Sequence, residues 1–313
     1  MKSSNIGGQA VMEGVMMRNA DKYAVAVRKT DGEIVVKTEE YKGIVQNKKI
    51  RSLPIIRGVF SFIDSMVLGM STLTYSASFF MDEEEEEKDE KKESVMMGLT
   101  IACSVVMAVA IFMILPYFLS QLFRKFTDST TLITLLEGAV RLVIFFGYIL
   151  LISRMKDIQR VFMYHGAEHK CINCIEHGME LNVENVLKSS RLHKRCGTSF
   201  LFIVMIVSII FFLFIRIESP IWRVVFRLLL IPVIAGVSFE FIRLAGKSEN
   251  KLVILLSKPG MMLQKLTTRE PDASMAEVAI ASVEAVFDWR AYLNENFGYT
   301  YPAKTEKKEH EEP

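Results

Sequence analysis

The chain has 313 residues, of which 50% are hydrophobic and 24% are charged, and its mean hydropathy is positive at +0.26. This composition excludes an intrinsically disordered chain, a collagen and a small disulfide-stapled secreted domain. The formal net charge of +2 is the sum of strongly acidic and strongly basic segments. No domain is basic enough to indicate nucleic-acid binding. The sequence therefore predicts an integral membrane protein that contacts membrane lipid and no nucleic acid.

Residues 1–52 predict a small cytoplasmic β-rich unit. Two runs in it, Tyr23–Val27 and Glu33–Lys37, have strand character. Asp31-Gly32 joins them and is a strong signal for a hairpin.

The segment Gly7–Arg18 holds three glycines and several methionines and predicts a tightly packed loop or strand. Two interpretations stay open for it. It serves backbone geometry alone, or it lines a site into which Gln9 and Glu13 point.

An apolar stretch at residues 53–81 carries Arg57, Asp64 and several serines and threonines, which give it a polar face. We interpret it as an interfacial or re-entrant segment rather than a span. Residues 82–94 follow as a strongly acidic, solvated linker.

Four runs are long and apolar enough to cross a bilayer, for which about 20 residues suffice. They lie at 95–123, 132–153, 199–215 and 220–244. The predicted fold class is an all-α polytopic membrane protein of about four transmembrane helices, at 95–245, with the small β-rich unit at its N-terminus.

Lysines and arginines near the spans predict the orientation, because basic segments stay in the cytoplasm. Residues 1–52 hold ten of them and the loop 154–198 holds eight, whereas 124–131 has two and 217–219 has none. We expect a multi-pass protein of the cytoplasmic membrane with both termini and the loop 154–198 in the cytoplasm. The polar start of the chain predicts no cleaved signal peptide.

The C-terminal part predicts a cytoplasmic amphipathic region at 246–303 and a disordered, charged tail at 304–313. Within it, Ser274–Glu277 matches a capping box that would open a helix.

The loop 154–198 concentrates the metal-binding residue types of the chain. Four of the five histidines and three of the four cysteines fall within it. In a reducing compartment such a cluster indicates a metal rather than a disulfide. Its members are His165, His169, Cys171, Cys174, His177, His193 and Cys196, with Glu168 among them.

The first interpretation is an open site on a helical H-x-x-E-H motif. His165 and His169 lie one turn apart on one helix face, so both can bind one cation. Glu168 lies beside that cation, where a general base would take a proton from activated water. His193 or Cys196 could supply a third ligand, which leaves the open position that catalytic zinc needs.

The second interpretation is a closed structural zinc site formed by Cys171, Cys174, His193 and Cys196, whose two pairs have the spacing of a zinc ribbon. Such a site has no catalytic role. A third possibility is that the loop binds no metal.

A charged pair, Glu137 and Arg141, lies within the second span. Charges inside a span are costly. They form an intrahelical ion pair in the bundle interior, or Glu137 lines a polar path beneath the metal loop.

The sequence resembles the YqhQ-like family of bacterial membrane proteins, a family without established function. The resemblance rests on four blocks, Gly7–Arg18, His165–Lys170, His193–Phe200 and Thr267–Asp272. It implies a bacterial inner-membrane protein that is a metal-dependent enzyme, and it implies neither substrate nor reaction. The position of Cys171 varies in that family, which weakens the closed zinc site.

The expected function is a metal-dependent hydrolase at the cytoplasmic membrane face that cleaves a peptide, amide or ester bond of a membrane-proximal substrate, such as a membrane protein. The expected cofactor is a divalent metal, zinc first. The candidate ligands are His165, His169, His193 and Cys196, and Glu168 is the general base. Weaker candidates for the site are Glu13, Gln9, Glu137 and Cys174.

The alternative is a non-catalytic membrane scaffold or regulator with a structural metal site, on which a partner protein docks. Four filled ligand positions favour the scaffold, and an open position favours the enzyme. A transporter is disfavoured, because the spans show no repeated halves.

Overall fold

The computed structural model describes residues 2–80, 90–215, 217, 219–248 and 250–302. An antiparallel sheet opens the chain, with strand order β1-β2-β3-β4. The strands are β1 Gly7–Val11, β2 Gly14–Asn19, β3 Lys22–Arg28 and β4 Ile34–Glu40. The predicted β-rich N-terminal unit is therefore confirmed, and Gly7–Arg18 forms its first hairpin, in which Val11 pairs with Gly14.

Helices form most of the remaining chain. A π-helical turn at Ala110–Ile114 joins α3 to α4, and a 3-10 turn at Leu122–Lys125 follows α4. The α-helices are α1 Lys48–Ser52, α2 Ile56–Ser78, α3 Glu90–Val109, α4 Leu115–Gln121, α5 Thr130–Ile152, α6 Lys156–Glu176, α7 Val183–Lys188, α8 Gly197–Phe214, α9 Pro220–Lys247, α10 Lys251–Thr267, α11 Ala273–Val286 and α12 Trp289–Phe297.

Strands β2 and β3 are buried on both faces of the sheet, to which successive side chains point alternately. One face, with Val15 and Met17, packs against α6 and α11 in a core that also holds Trp289 of α12. The other face, with Val11 and Met16, packs against Leu68 of α2. We call β1–β4, α6, α7, α11 and α12 the sheet unit.

Five helical segments are long and apolar enough to cross a membrane within the described residues, whereas about four were predicted from the sequence. They are Ile56–Ser78, Val95–Lys125, Thr130–Ile152, Gly197–Phe214 and Ile221–Gly246. The additional one is α2, in the stretch predicted as interfacial or re-entrant. It is one uninterrupted helix, so the chain does not form the re-entrant hairpin.

The polar residues that argued against a span at α2 are satisfied inside the protein. Asp64 is buried and accepts hydrogen bonds from the Ile44 N–H at 2.8 Å and the Tyr41 hydroxyl at 3.2 Å. Arg57 pairs with Glu240 of α9. The polar face of α2 therefore faces the sheet and α9.

Several predicted boundaries differ from the structure. Helix α3 already begins at Glu90, within the predicted linker, whose residues 82–89 lie outside the described part of the chain, as does the tail at 304–313. The capping box at Ser274–Glu277 is wrong, because α11 begins two residues earlier with Asp272 as its N-cap, which accepts a hydrogen bond from Met275 N–H.

Candidate metal centre

Helix α6 carries the H-x-x-E-H motif at its middle. The rings of His165 and His169 lie on one face with their centroids 4.4 Å apart. Gly166 lets this helix approach the segment after α10, because a Cβ there would lie 2.0 Å from the Arg269 carbonyl oxygen. The glycine therefore brings the end of α10 against the first histidine.

Cys196 completes a group of three ligand atoms. It is the N-cap of α8, so it stands at the point where the chain enters the apolar bundle. Its Sγ lies 3.3 Å from His165 Nε2. One potential ligand atom each from His165, His169 and Cys196 lies within 4.8 Å of the other two. Among the described residues this is the group that could hold a metal ion, and we call it the metal-binding group.

Backbone carbonyls orient both histidines. His165 Nδ1 lies 2.9 Å from the Thr267 carbonyl oxygen, and His169 Nδ1 lies 2.6 Å from that of Arg191. A carbonyl only accepts hydrogen bonds, so each Nδ1 carries the proton. Each Nε2 then offers a lone pair toward the centre, as in metal-binding histidines with a second-shell acceptor.

The three groups also shift each other's pKa values. Burial alone would raise the pKa of the Cys196 thiol, but the two imidazoles outweigh burial and hold it well below its usual value. Burial likewise disfavours charge on His169, yet Glu168 and Cys196 raise its pKa to about 9. The thiolate that a soft divalent cation prefers is thus the favoured form of Cys196.

Glu168 lies in the same cavity as the three ligands. Its carboxylate is buried, and Oε2 lies 3.5 Å from His169 Nε2. The cavity measures about 170 Å³ and is lined by His165, His169, Glu168, His193, Cys196 and the start of β1. The carboxylate therefore stands beside the ligand nitrogens, in the position that the motif predicts for a general base.

His193 lines the cavity but does not belong to the three-ligand group. Gln264 of α10 holds its backbone N–H and carbonyl, with distances of 2.8 and 2.7 Å. Its Nε2 lies 3.5 Å from Glu176 Oε2. The structure therefore orients this imidazole toward Glu176, and the third donor of the group is Cys196.

Glu176 ties three chain segments together behind the cavity. It is fully buried and bonds Arg195 at 2.6 Å and the backbone N–H of Ser4 at 2.7 Å. Burial opposes its charge, but His193 and Arg195 outweigh burial and lower its pKa to about 2. This ionised carboxylate fixes the N-terminal segment against the loop that carries Cys196.

Gln9 and Glu13 do not point into this cavity. Gln9 faces α2, and its Nε2 lies 3.5 Å from the Gly69 carbonyl. Glu13 is in the β1–β2 turn, where it pairs with Arg160 and lies 3.3 Å from the Tyr164 hydroxyl. Their side chains attach the hairpin to α2 and α6 instead, so the structure does not bring either candidate to the three-residue group.

The closed zinc site is not formed. Cys171 and Cys174 are fully buried in the apolar core of the sheet unit. The Cys174 thiol lies 3.3 Å from the Glu180 carbonyl oxygen, and burial raises its pKa to about 11. Neither cysteine joins the metal-binding group. They behave as small core residues.

Glu137 lies inside the bundle and pairs with two arginines. Arg141 Nη2 approaches its Oε1 at 3.0 Å, and Arg227 Nη2 approaches its Oε2 at 2.9 Å. All three side chains are buried. Glu137 does not line the cavity of the metal-binding group, which leaves the structural ion pair as its observed role.

Four contributors to the site were not identified from the sequence. They are the carbonyls of Thr267 and Arg191, the amide of Gln264 and the backbone of Gly8, where a Cβ would lie 2.8 Å from Glu168 Cγ. Backbone carbonyls leave no residue-type signal. Only the block Thr267–Asp272 and the glycines of Gly7–Arg18 were available as signals.

Comparison with known proteins gives a family without an activity. A family described as "Protein of unknown function (DUF1385)" matches residues 53–289. The chain belongs to this family. The matched range of this chain includes His165, Glu168, His169 and Cys196.

A relative of this DUF1385 chain is "Uncharacterized protein YqhQ" of Bacillus subtilis (strain 168). It is 36% identical over 301 residues, which cover 93% of this chain and 94% of that protein. No solved structure matches the chain. The predicted YqhQ-like family is thus confirmed, and the function has to be argued from the site.

Proposed function

We propose that the chain is an integral-membrane hydrolase that depends on a divalent metal, zinc first, held by His165, His169 and Cys196. The observation that carries the proposal is the convergence of two imidazole lone pairs and one thiol, with the Glu168 carboxylate in the same cavity. Both histidines are pre-oriented by carbonyls. This donor set fits a borderline-soft ion such as zinc.

Three protein ligands leave the open position that a hydrolase needs. When bound, a divalent ion polarises the substrate carbonyl and makes water more acidic. Glu168 would take the proton of the attacking water and pass it to the departing amine or alcohol. The reaction class is hydrolysis of a peptide, amide or ester bond.

The packing also supports a four-crossing arrangement in the cytoplasmic membrane. Because the sheet packs against α6 and α11, all of these elements lie on one side of the membrane. Three long apolar helices separate β4 from α6, and three crossings would put them on opposite sides. If α2 lies in the membrane interface, only two crossings separate β4 from α6, and both elements then lie on the same side.

Helix α2 has the surface of an interfacial helix. Its buried face packs on the sheet, while Ile63, Met66 and Met70 are exposed on the outside. We assign this apolar face to the lipid of the inner leaflet. The basic residues of 1–52 and 154–198 favour the cytoplasm for the sheet unit and the metal-binding group.

Metal content per chain tests the hydrolase. We expect close to one zinc ion per wild-type chain purified in detergent, and loss of it in His169→Ala and in Cys196→Ser. Glu168→Gln and Cys174→Ser should keep the ion. Hydrolysis of an internally quenched peptide pool should require Glu168. A wild-type chain without metal would overturn the proposal. If Glu168→Gln keeps its zinc and hydrolyses the peptides as fast as the wild type, Glu168 is not the general base.

The non-catalytic scaffold is the competing outcome of the same experiment. It predicts a fourth protein ligand, so that zinc is held in a closed site and no pool peptide is cleaved. His193 is the nearest further donor in the cavity. Loss of the ion in His193→Ala, together with an inert pool, would favour the scaffold.

Cysteine labelling tests the topology. In a Cys103→Ser background, a membrane-impermeant maleimide should label Asp128→Cys in intact cells. It should label Asp31→Cys, on the sheet, only after permeabilisation. Labelling of both positions in intact cells would mean that α2 crosses the membrane, and labelling of Asp31→Cys alone would mean that the orientation is inverted.

A further inference from the structure

One of the two edges of the sheet, that of β1, lies at the metal-binding cavity. Among the described strands, β1 pairs with β2 alone and is therefore an edge strand. Gly7 and Gly8 are exposed there. Within the described part of the chain, no backbone hydrogen bond reaches Gly7–Val11 other than those to β2. Such an edge presents N–H and C=O groups that a further strand can pair with.

Two cavities lie on the two faces of this edge. The first is the cavity of about 170 Å³ that holds His165, Glu168 and His169. The second measures about 360 Å³, lies between the sheet and α2, and is lined by Gln9, Met16, Arg18, Ser65 and Leu68 among others. Asn5, Gly7 and Gly8 line both.

We propose that the edge of β1 binds an extended peptide segment of the substrate by strand addition; the proposal rests on the hydrolase function. Side chains of a paired strand alternate between its two faces. One face of such a peptide would point to the metal-binding group, and the other would point to the cavity beside α2. The substrate class is therefore a polypeptide with an unfolded, extended segment close to the membrane.

Glycine at positions 7 and 8 fits this role in two ways. A Cβ at Gly8 would lie 2.6 Å from the Met16 carbonyl oxygen and 2.8 Å from Glu168 Cγ, so only glycine lets the strand lie against the base. A Cβ at Gly7 meets nothing within 4 Å. Since neighbouring side chains of a strand point to opposite faces, a larger residue at Gly7 would extend into the cavity beside α2 without meeting the rest of the fold.

Peptide arrays test the proposal with the full chain in its Glu168→Gln form, which binds without cleaving. Random heptapeptides are printed plain and with N-methyl groups on the odd or on the even amides. We expect hits that lose binding in one methylation frame and keep it in the other, because strand pairing uses alternate amides. Gly7→Val should weaken the hits by about tenfold or more in fluorescence anisotropy, because its side chain would occupy the cavity beside α2 that one face of the bound peptide needs.

The matched control is Gly98→Val, an exposed glycine of α3 that also has open space around it. It should bind the peptides like the parent, and both valine variants should keep their zinc. Absence of hits, or hits indifferent to methylation and to Gly7→Val, would overturn the proposal. Hits that bind but are not cleaved by the zinc-loaded chain with Glu168 intact would instead overturn the hydrolase and leave the peptide edge in place.

Discussion

Two buried groups of charged and polar side chains differ in how their atoms are satisfied. In the bundle, both carboxylate oxygens of Glu137 are taken by Arg141 and Arg227. The Arg227 guanidinium also lies 4.5 Å from the centre of the Phe212 ring. In the metal-binding group, by contrast, His165 and His169 bond outward to carbonyls and turn their remaining nitrogens inward toward Cys196.

The difference separates a structural group from a binding group. The single carboxylate of Glu137 is shared by Arg141 and Arg227, and these ion pairs link helices α5 and α9. The two histidines and the cysteine instead direct the lone pairs of their donor atoms to a common point, beside a cavity. Such an arrangement needs a cation or protons to be stable.

The largest expected effect comes from disrupting the buried group of Glu137, Arg141 and Arg227 in the bundle. Glu137→Gln would leave two buried arginines without their counter-charge, and we expect a loss of about 3–5 kcal/mol in the free energy of unfolding. Thermal unfolding in detergent would measure it, with the exposed Arg124→Gln as control. Zinc per folded chain should not change. Loss of zinc in this variant would mean that the two groups are coupled.

The next prediction concerns the pH dependence of zinc binding by the metal-binding group. Without metal, His169 keeps its proton up to a pKa of about 9, so an incoming ion has to displace it. The pKa of Cys196 lies well below its usual value, so the thiol adds little to the proton release. Burial opposes charge on His165 as well, but Cys196 outweighs burial and raises its pKa. Zinc affinity should therefore rise by about tenfold or more per pH unit from pH 6 and level off near pH 9.

Competition with a chromophoric chelator, corrected for its own protonation, measures this pH dependence. The number of protons released per ion should be about one to two, because both histidines have raised pKa values. A zinc affinity that stays constant from pH 6 to 8 would contradict the raised pKa of His169.

The smallest expected effect concerns the support of the loop. Gln264→Leu removes the amide that bonds the backbone of His193 and the Ser199 hydroxyl. Buried groups left unpaired cost roughly 1–3 kcal/mol, and a lost supporting contact weakens metal binding by about tenfold. Thermal unfolding and zinc competition measure both, with the exposed Gln46→Leu as control. An unchanged zinc affinity would mean that other contacts hold the loop.

The sequence indicates the metal-binding group better than its surroundings. The spacing of His165 and His169 specifies a shared helix face, since the helical period is local. Which downstream donor approaches them depends on where the chain returns after α7, and the sequence left His193 and Cys196 open. The structure selects Cys196 because it caps α8 beside the motif.

The β-rich start and the apolar helices were also predictable, because alternation and long apolar runs are local signals. The position of α2 was not. Its polar residues Arg57 and Asp64 are read from the sequence as exposed to water, whereas their partners lie 183 and 20–23 residues away along the chain. Long-range pairing of this kind has no local pattern.

The discontinuity of the sheet unit has a consequence for biosynthesis. Its strands come from residues 7–40, its motif helix from 156–176 and its covering helix α11 from 273–286. The acceptor for His165 is 102 residues downstream of it. The nascent chain must therefore pass nearly all of its apolar helices to the membrane before the sheet is covered and the histidines are oriented. A chain released before residue 267 would lack the Thr267 carbonyl that orients His165 and the helix α11 that packs against the motif helix.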